Sequence, residues 1–372
     1  MIAIAEFAPR LITWQRQFGR HDLPWQLTRD PYTIWLSEIM LQQTQVSTVI
    51  AYYLRFIERF PNLAALAHAP LDEVMAVWSG LGYYSRARNL HRCAQLLMTE
   101  YHGQFPNQVN ALIELPGIGR STAAAIAVFA FGAHETILDG NVKRVLARVF
   151  GIEGFPGEKQ TENAMWKLAE SLLPPHSEPA TELNDLAMQA YTQGLMDLGA
   201  TLCVRGRPAC TRCPFQTGCA AHLSGREKTL PTARPKKSKP MRRTLMLILC
   251  NGPTVLLERR PPAGIWGGLW SLPEVPDAAA LVAYAARFGI TDPLTALAPI
   301  VHTFTHFQLT IEPKLATLPS RAAPSAGVAD TNQTWVSVDD LQAYGLPAPV
   351  RRILDTLRSP IPSLQTALEF TV

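Results

Sequence analysis

Residues 111–149, ALIELPGIGRSTAAAIAVFAFGAHETILDGNVKRVLARV, decide the fold of this chain. Their pattern predicts a short helix that ends with residues 112–115, a tight turn at 116–119 and a second helix over 120–131. Gly117 and Gly119 permit positive φ in the turn and let a partner come close to the backbone. The alanine-rich run that follows favours a helix, because alanine has the highest helix propensity.

The start of this second helix is a candidate anion site. A helix N-terminus that follows exposed glycine N–H groups binds phosphate readily, since those donors have no partner inside the helix. The same turn also occurs as an ordinary helical hairpin packed in an all-α core. The hairpin alone leaves both interpretations open.

Asp139 precedes a third predicted helix, residues 140–150. An aspartate at this position accepts hydrogen bonds from the first backbone N–H groups and lies at the positive end of the helix. Both effects favour the ionised carboxylate, so we expect the pKa of Asp139 to be lowered. The simpler interpretation is that Asp139 only caps the helix.

Length and composition limit the class of protein. The chain has 372 residues, a formal net charge of +4 and a pI near 8.7, which favour two domains and suit an anionic partner. Its apolar runs are too short to span a bilayer, and residues 1–20 lack the pattern of a signal peptide. Six cysteines in a long chain do not indicate a secreted disulfide scaffold, so we expect a reducing, intracellular location.

A carboxyl group occurs in an apolar setting early in the chain. Residues 32–60 show helical periodicity over one or two helices, with Glu38 among Trp35, Ile34 and Leu41. Burial beside such groups disfavours ionisation, so we expect Glu38 to hold its proton unusually well. A solvated Glu38 on the outer helix face is the alternative. Gln43, shortly after it, carries an amide that can meet the edge of a base or replace one.

Residues 61–103 predict two more helices joined by a glycine-bounded turn, within WSGLGYYSRARNLHRCA (78–94). Leu81 and Tyr83 on this turn are suited to wedge into a base stack. Arg86, Arg88 and Arg92, which follow, are suited to contact phosphates. The alternative is a packed turn between helices with a solvated basic face.

Four cysteines close the helical region, after further helices in residues 160–200: Cys203, Cys210, Cys213 and Cys219. Four thiolates this close together can enclose either a [4Fe–4S] cluster or a structural zinc, and the spacing alone does not distinguish the two. Cys93 and Cys250 are expected to be buried thiols.

Residues 224–243 are rich in Pro, Lys and Arg and predict an extended, mobile linker able to follow a phosphate backbone. From residue 244 the pattern changes to strands, in LMLILC, TVLLERR and HTFTHFQLTIEPKL, with a helix over 278–288. GGLWSLPE (267–274) resembles the start of the Nudix box, but the later carboxylates are replaced by Val282, Ala283, Ala286 and Arg287. Mg²⁺ needs such oxygen ligands, so we expect binding without hydrolysis.

Taken together, LSEIMLQQTQV (36–46), GLGYYSRARNL (80–90), LPGIGRSTA (115–123), LDGNVKR (138–144), the four-cysteine loop and FTHF (304–307) are specific in order and spacing. The chain resembles the adenine-specific branch of the helix-hairpin-helix, endonuclease III-like DNA glycosylases. The implied fold is multidomain: an all-α glycosylase domain (1–223) with an iron–sulfur loop (203–219), the linker (224–243), an α+β Nudix-like domain (244–365) and a tail (366–372).

This resemblance implies excision of adenine paired with 8-oxoguanine or guanine, with a [4Fe–4S] cluster as cofactor. Glu38 would protonate the base, Asp139 would stabilise the sugar cation, and Asn141 would orient the aspartate or a sugar-phosphate group. The implied DNA contacts are Gln43, Leu81, Tyr83, Arg86, Gly117, Gly119, Ser121 and Lys143. Phe304, Thr305 and His306 would read 8-oxoguanine, although the family carries Ser where this chain has Thr305.

Ser121 distinguishes two activities within the superfamily. Bifunctional relatives carry a lysine at this position that attacks C1′ through a Schiff base, and a serine cannot form an imine. We therefore expect a monofunctional enzyme that leaves an abasic site, with Lys143 as a source of weak strand cleavage. The alternative is a bifunctional endonuclease III-like enzyme acting on oxidised pyrimidines. The implied partner is double-stranded DNA, and the implied protein is a monomer in the bacterial cytoplasm, associated with the nucleoid and not with a membrane.

Overall fold

The computed structural model of the chain describes residues 2–175, 182–235, 238–318 and 332–357. They form two compact units. The first unit contains the described residues up to His68 and those from Asn89 to 235, and the second contains Ala69–Arg88 and the described residues from 238 onward. Within the described residues, no helix combines the length and the apolar character that crossing a membrane requires. The predicted tail, 366–372, lies outside the described residues.

Helices build the first unit, as the sequence predicts, and residues 69–88, which are also largely helical, belong to the second unit. The segment 32–60 forms two helices. The segment 61–103 contains three helices where two were expected, because Pro70 interrupts the helical stretch between residues 63 and 78. The N-terminal helices are α1 (Ile4–Phe18), α2 (Pro31–Leu41), α3 (Val46–Arg59), α4 (Leu63–His68), α5 (Leu71–Trp78) and α6 (Ser85–Glu100). The later ones are α7 (Val109–Ile113), α8 (Arg120–Phe131), α9 (Gly140–Phe150), α10 (Lys159–Ser171), α11 (Glu182–Asp197) and α12 (Ala220–Leu223).

The predicted helical hairpin around Gly117 and Gly119 is formed by α7, the turn at residues 116–119 and α8. The bounds of α8 and α9 match the predicted helices, and α7 ends slightly before the predicted end. Gly117 has φ +83°, and a Cβ there would lie 2.9 Å from the Cβ of Asn89. A side chain at this position would therefore be strained and would clash. Gly119 has open space around its α-carbon, which leaves the N-terminus of α8 accessible.

An apolar core fixes the helices that carry the candidate site. Phe7 on α1 is fully buried, and its ring stacks on Phe215 at 4.5 Å. The inner face of α8 contributes Ala124, Ala125 and Val128 to the same cluster. Burial of a side chain the size of phenylalanine is worth about 1.5–3 kcal/mol, so this packing holds the helix ends in place.

The start of the predicted linker is packed against the first unit. Leu230 is only 4% exposed and belongs to its core, and Arg226 forms an ion pair with Glu153 at 2.7 Å. The expectation of an extended, mobile segment from residue 224 is therefore wrong for residues 224–230. The reason is Leu230, an apolar residue in an otherwise polar run, which packs into the core of the first unit.

The second unit is built on a mixed sheet that has eight strands among the described residues. The long strand β1 pairs in parallel with β7 and antiparallel with β2 and β4. Strands β5 and β6 pair with β7, and β3 and β8 pair with β2. The strands are β1 (Met241–Asn251), β2 (Thr254–Arg259), β3 (Trp270–Ser271), β4 (Glu274–Val275), β5 (Thr295–Ala296), β6 (Ile300–Thr303), β7 (Gln308–Thr317) and β8 (Gln333–Ser337).

Two helices accompany this sheet, α13 (Ala278–Ala286) and α14 (Ala348–Thr356). Asp277 caps α13 by accepting the N–H of Ala280 at 2.8 Å, and Leu281 and Ala285 of that helix enter the core of the sheet. The predicted α+β class of this part of the chain is confirmed. The expected strand HTFTHFQLTIEPKL is a hairpin, in which β6 and β7 flank a turn at residues 304–307.

Candidate active site

Glu38 and Asp139 line one cavity in the first unit. Glu38 is on α2, and Asp139 is the N-cap of α9. Gln43, Ser121 and Asn141 line the same cavity. The structure thus brings together five of the residues that the sequence singled out, from segments up to about a hundred positions apart in the chain.

The carboxyl group of Glu38 resists ionisation. Its helix neighbours Ile34, Trp35, Ile39 and Met40 are all buried. Burial raises the pKa of Glu38 to about 8, and the nearby charge of Asp139 adds to the rise. The expected shift is confirmed, and its main cause is the loss of water that the apolar sequence predicts. At neutral pH this side chain is a proton donor.

Asp139 caps α9 as expected. Its Oδ1 accepts the N–H of Asn141 at 2.9 Å and that of Val142 at 2.8 Å. The expected lowering of its pKa is wrong, however. Burial raises the pKa of the Asp139 carboxyl, and the two backbone hydrogen bonds and the charge of Arg144 only oppose that rise. A cap can be recognised in a sequence, but the packing that removes water from it cannot.

The two carboxyl groups nevertheless have different surroundings. The charge of Asp139 contributes to the raised pKa of Glu38. Asp139 receives two N–H hydrogen bonds and faces a guanidinium group, and these favour its charged form. Burial thus favours the protonated form of Glu38, while the two N–H hydrogen bonds and Arg144 favour the charged form of Asp139 against its own burial.

Arg144 supports this arrangement, and the sequence analysis missed it. Its Nη2 donates to Asn141 Oδ1 and to the carbonyl of Gly199, both at 2.7 Å, while its Nε donates to the carbonyl of Cys203. A Cβ on Gly199 would lie 2.6 Å from the Cβ of Asn141, so the two residues pack closely. Asn141 is thereby fixed beside Asp139. Arg144 ends the quoted LDGNVKR motif, which was the available signal.

A second polar network in the cavity wall also escaped the sequence analysis. Asp197 is fully buried and pairs with Arg20, whose Nη2 lies 2.6 Å from Asp197 Oδ1. Gln193 Nε2 donates to the same oxygen at 2.8 Å. Arg20 and Gln193 both line the cavity. Because Arg20 and Asp197 are 177 residues apart, no local pattern could have linked them.

Ser121 and the hairpin form another part of the wall. Ser121 Oγ accepts the N–H of Leu138 at 3.1 Å, which ties the start of α8 to the residue before Asp139. Gln42 Nε2 reaches Thr122 Oγ1 at 3.3 Å. Gln43, beside it, has φ +57°, an uncommon conformation for a residue with a side chain. Such conformations cluster at functional sites.

Lys143 is engaged elsewhere in the first unit. Its Nζ lies 2.5 Å from Glu162 Oε1, in a partly buried ion pair. This ion pair occupies the ammonium group of Lys143. The expected DNA contact of Lys143 therefore has to compete with Glu162.

In the second unit, the turn after α5 separates the residues proposed as a wedge. Leu81 is only 6% exposed, whereas Tyr83 is 47% exposed with φ +49°. Arg86 is also buried, and its guanidinium lies over the rings of Trp78 and Tyr83. Tyr83 is thus the residue that the turn presents to a partner. Leu81 and Arg86 pack inside the turn. The sequence did not predict this, because it does not show the direction of a side chain in a loop.

The turn between β6 and β7 carries the other candidate contacts of this unit. Thr305 and His306 are exposed, and Phe304 is partly buried with its ring stacked on Phe307 at 4.6 Å. The N–H of Phe304 donates to the carbonyl of Phe307 at 2.9 Å and closes the turn. The hydroxyl of Thr305 and the imidazole of His306 are therefore exposed beside the stacked rings of Phe304 and Phe307.

The region that resembles a Nudix box holds no free carboxylate pair. Glu274 pairs with Arg260, and its other oxygen accepts the hydroxyl of Thr244 at 2.8 Å. Val282, at a position where a metal-binding box needs a carboxylate, is 63% exposed. The loss of metal-dependent hydrolysis stays a prediction.

The four cysteines line a single cavity behind α9. Among the described residues, no three of their sulfur atoms lie within 4.8 Å of one another. A tetrahedral zinc with bonds of 2.3 Å would need sulfur atoms about 3.8 Å apart. Arg148 Nη1 donates toward Cys203 Sγ at 3.4 Å. Four thiolates around one cavity are a donor set that fits a [4Fe–4S] cluster.

Known proteins and family models match most of the chain. Residues 36–171 match the model of the HhH-GPD superfamily base excision DNA repair protein, and residues 244–356 match the NUDIX domain. The chain is 35% identical to an adenine DNA glycosylase of Buchnera aphidicola, over 95% of this chain and 98% of that protein. It is also 35% identical to an adenine DNA glycosylase of Rattus norvegicus, over 83% of this chain and 70% of that protein.

A solved thermostable thymine-DNA glycosylase also resembles the chain, with a TM-score of 0.52 and 29% identity over 59% of this chain and 97% of that one. The solved structure corresponds to 59% of this chain and has no counterpart to the rest. The Buchnera match extends over both parts at well above 30% identity. The chain therefore belongs to the adenine DNA glycosylase (MutY) family.

Proposed function

We propose that this chain excises adenine paired with 8-oxoguanine or guanine in duplex DNA, as a step of base-excision repair. The observation that supports this most is that Glu38, whose pKa burial raises to about 8, and Asp139, the N-cap of α9, line one cavity of a family member. One acid and one carboxylate around a glycosidic bond is the division of labour of glycoside hydrolysis.

The reaction starts with extrusion of the target nucleotide, since the base cannot be reached inside the duplex. Glu38 donates its proton to a ring nitrogen of adenine, and the bond from C1′ to the base breaks with its electron pair leaving on adenine. The sugar becomes an oxocarbenium-like cation, which the charge of Asp139 stabilises. Water adds to C1′, and the Glu38 carboxylate takes up the released proton, which leaves an abasic site and restores the acid.

Asn141 and Ser121 support this chemistry in different ways. Asn141, held by Arg144, orients Asp139 or a sugar-phosphate group. Ser121 occupies the position of the Schiff-base lysine in bifunctional relatives, so the product keeps an intact strand. Lys143 is paired with Glu162, which limits its contribution to strand cleavage. Borohydride should trap no efficient covalent adduct; an efficient adduct, formed by an amine elsewhere in the site, would favour the endonuclease III-like alternative.

DNA binding follows from the same surfaces. Within the first unit, Gly117 and Gly119 at the N-terminus of α8 suit a phosphate, and Gln43 suits contact with a base edge. Within the second unit, the exposed Tyr83 suits insertion into a base stack. Duplex DNA is the partner of a monomer in the bacterial cytoplasm. The resemblance of residues 244–356 to a Nudix domain gives a scaffold for binding the opposite base, not for hydrolysing nucleotides.

Thr305 should supply the hydrogen bond that distinguishes 8-oxoguanine from guanine. Thr305→Val keeps the shape and removes the hydroxyl, so the ratio of excision rates on A:8-oxoguanine and A:G should fall about tenfold, the scale of one hydrogen bond in a bound interface. Thr305→Ser, which keeps the hydroxyl, is the matched control and should keep the ratio. An unchanged ratio in Thr305→Val would contradict this role for the residue.

A [4Fe–4S] cluster would be held by the four thiolates of Cys203, Cys210, Cys213 and Cys219. It would cross-link the loop between α11 and α12 and make it rigid. The arginines near it are then held at fixed positions: Arg144 by the carbonyl of Cys203 and Arg148 by its sulfur. Iron and sulfide analysis of the pure protein should give four of each per chain. One zinc per chain without iron would show that the metal assignment is incorrect.

One assay tests the function as a whole. Single-turnover excision is measured on duplexes that contain A:8-oxoguanine, A:G or thymine glycol. Excision should be fastest for A:8-oxoguanine, slower for A:G and absent for thymine glycol. Preferred processing of thymine glycol would exclude the proposed substrate class.

A further inference from the structure

The exposed Tyr83 belongs to a turn that is built before any partner binds. Trp78 Nε1 donates to the carbonyl of Gly82 at 3.1 Å, and the N–H of Gly80 donates to the hydroxyl of Tyr84 at 3.2 Å. Tyr84 is itself buried and donates to the carbonyl of Leu346 at 3.0 Å. The turn is thus anchored on residues of the second unit that lie far along the chain.

Arg88 makes a further contact to this part of the second unit. Its Nη1 donates to the carbonyl of Gly267 at 2.5 Å. Gly267 has no room for a side chain, because a Cβ would lie 2.3 Å from the carbonyl oxygen of Pro262. Gly267 thus packs closely against Pro262, and its carbonyl accepts the hydrogen bond from Arg88. The sequence analysis expected Arg88 to contact phosphate, and the structure gives it this protein acceptor instead.

Trp266, next to Gly267, connects this site to the turn between β6 and β7. Its ring lies 5.3 Å from the ring of Phe304 and 5.7 Å from that of His302, and the residue is only 8% exposed. It has φ +56°, which is unfavourable for a residue with a large side chain. A conformation of this kind persists only where the surroundings impose it, and it is common at switch regions.

We propose that Arg88 and Trp266 are positioning residues that couple recognition of the base opposite adenine to the placement of Tyr83. The connection runs from Phe304 through the ring of Trp266 and the carbonyl of Gly267 to Arg88, and every step is a contact within the second unit. This inference rests on the proposed function, since it assigns the turn at 304–307 to 8-oxoguanine and Tyr83 to the base stack.

The coupling has a simple physical basis. A ligand shifts a conformational equilibrium only through contacts that differ between the two states. A base that bonds to Thr305 holds Phe304 against Trp266, and Trp266 then fixes the acceptor for Arg88. Guanine lacks the modified edge and holds the turn less firmly, so Tyr83 stays less ordered opposite guanine than opposite 8-oxoguanine.

Base extrusion without chemistry provides the test. All proteins carry Asp139→Asn, and 2-aminopurine replaces the target adenine opposite 8-oxoguanine or guanine. Arg88→Met removes the donor and keeps the aliphatic chain, Arg88→Lys keeps one donor, and Trp266→Leu and Trp266→Phe remove or keep a ring. Arg92→Met is the matched control, because Arg92 is an exposed arginine one turn later on α6.

The background protein should extrude 2-aminopurine more readily opposite 8-oxoguanine than opposite guanine, by fluorescence. Arg88→Met and Trp266→Leu should reduce that preference about tenfold, the scale of one charge-assisted hydrogen bond, with extrusion opposite guanine little changed. Arg88→Lys and Trp266→Phe should recover most of the preference. Arg92→Met should change both duplexes equally, through nonspecific phosphate binding.

Two failures remain distinguishable. If the background protein shows no preference for 8-oxoguanine, the proposed function itself fails. If it shows the preference and both Arg88→Met and Trp266→Leu retain it, the coupling is refuted and the proposed function stands. Loss of extrusion opposite both bases, with Arg88→Lys equally impaired, would mean that Arg88 only stabilises the fold, which also refutes the coupling.

Discussion

Glu38→Gln is expected to slow excision of adenine opposite 8-oxoguanine by roughly 10²–10⁴-fold, the contribution of one positioned general acid. Glutamine has nearly the same shape and can still hydrogen-bond to a base, but it has no proton to give. Binding of the mispaired duplex should therefore remain close to that of the unchanged protein. Single-turnover rates and duplex affinities measure the two effects separately.

The pH dependence identifies the acid. Glu38 with a pKa of about 8 is protonated at neutral pH, so the excision rate should fall as pH rises through about 8. On the acid side, the rate should fall when Asp139 takes up a proton, and its pKa lies above the ordinary aspartate value. The alkaline fall should disappear in Glu38→Gln. Its persistence in that variant would assign the ionisation to another group.

Glu38→Gln should increase the stability of the fold at alkaline pH, although it lowers activity. Between the ordinary glutamate pKa and about 8, the folded chain keeps a proton on Glu38 that the unfolded chain has lost. The folded state is therefore destabilised by this residue as pH rises through that window. Glu38→Gln should raise the free energy of unfolding by up to a few kcal/mol at pH 9 and by little at pH 5. A variant destabilised at both pH values would show that burial of Glu38 is not the main effect.

The sequence predicted the parts of this site that depend on neighbours in the chain. The alanine run of α8 and the aspartate before α9 gave the helices almost to the residue, because propensity and capping are local. Ile34 and Trp35 similarly gave the direction of the Glu38 pKa shift. Each of these signals lies within one helical turn of the residue it concerns.

Properties that depend on packing across the chain were not predictable. The pKa of Asp139 shifts opposite to expectation because burial outweighs its cap hydrogen bonds. Arg86 was expected on a basic surface, but Trp78 and Tyr83 offer their ring faces to its guanidinium. Buried Asp197 gave no local sign of its pairing with Arg20. In each case the deciding partner or the exclusion of water comes from tertiary packing.

Asp139→Asn should abolish most excision while leaving the fold intact. The amide oxygen of asparagine can still accept the N–H groups of Asn141 and Val142, so the cap of α9 is retained. What disappears is the negative charge that stabilises the sugar cation. Removal of such a stabilising group typically costs 10²–10³-fold in rate, and loss of a full charge in a buried site should cost about 10³-fold or more.

Unfolding separates this catalytic role from capping. Replacing Asp139 also removes a carboxylate whose burial is unfavourable, so the free energy of unfolding should change by no more than about 1 kcal/mol. Asp277→Asn is the matched control, because Asp277 caps α13 through the N–H of Ala280 and lies outside the first unit. It should change stability by a similar amount and leave excision unaffected. If Asp139→Asn excised adenine at a rate within tenfold of the unchanged protein, Asp139 would be a helix cap and no more, and the stabilisation of the cation would have to come from elsewhere in the cavity.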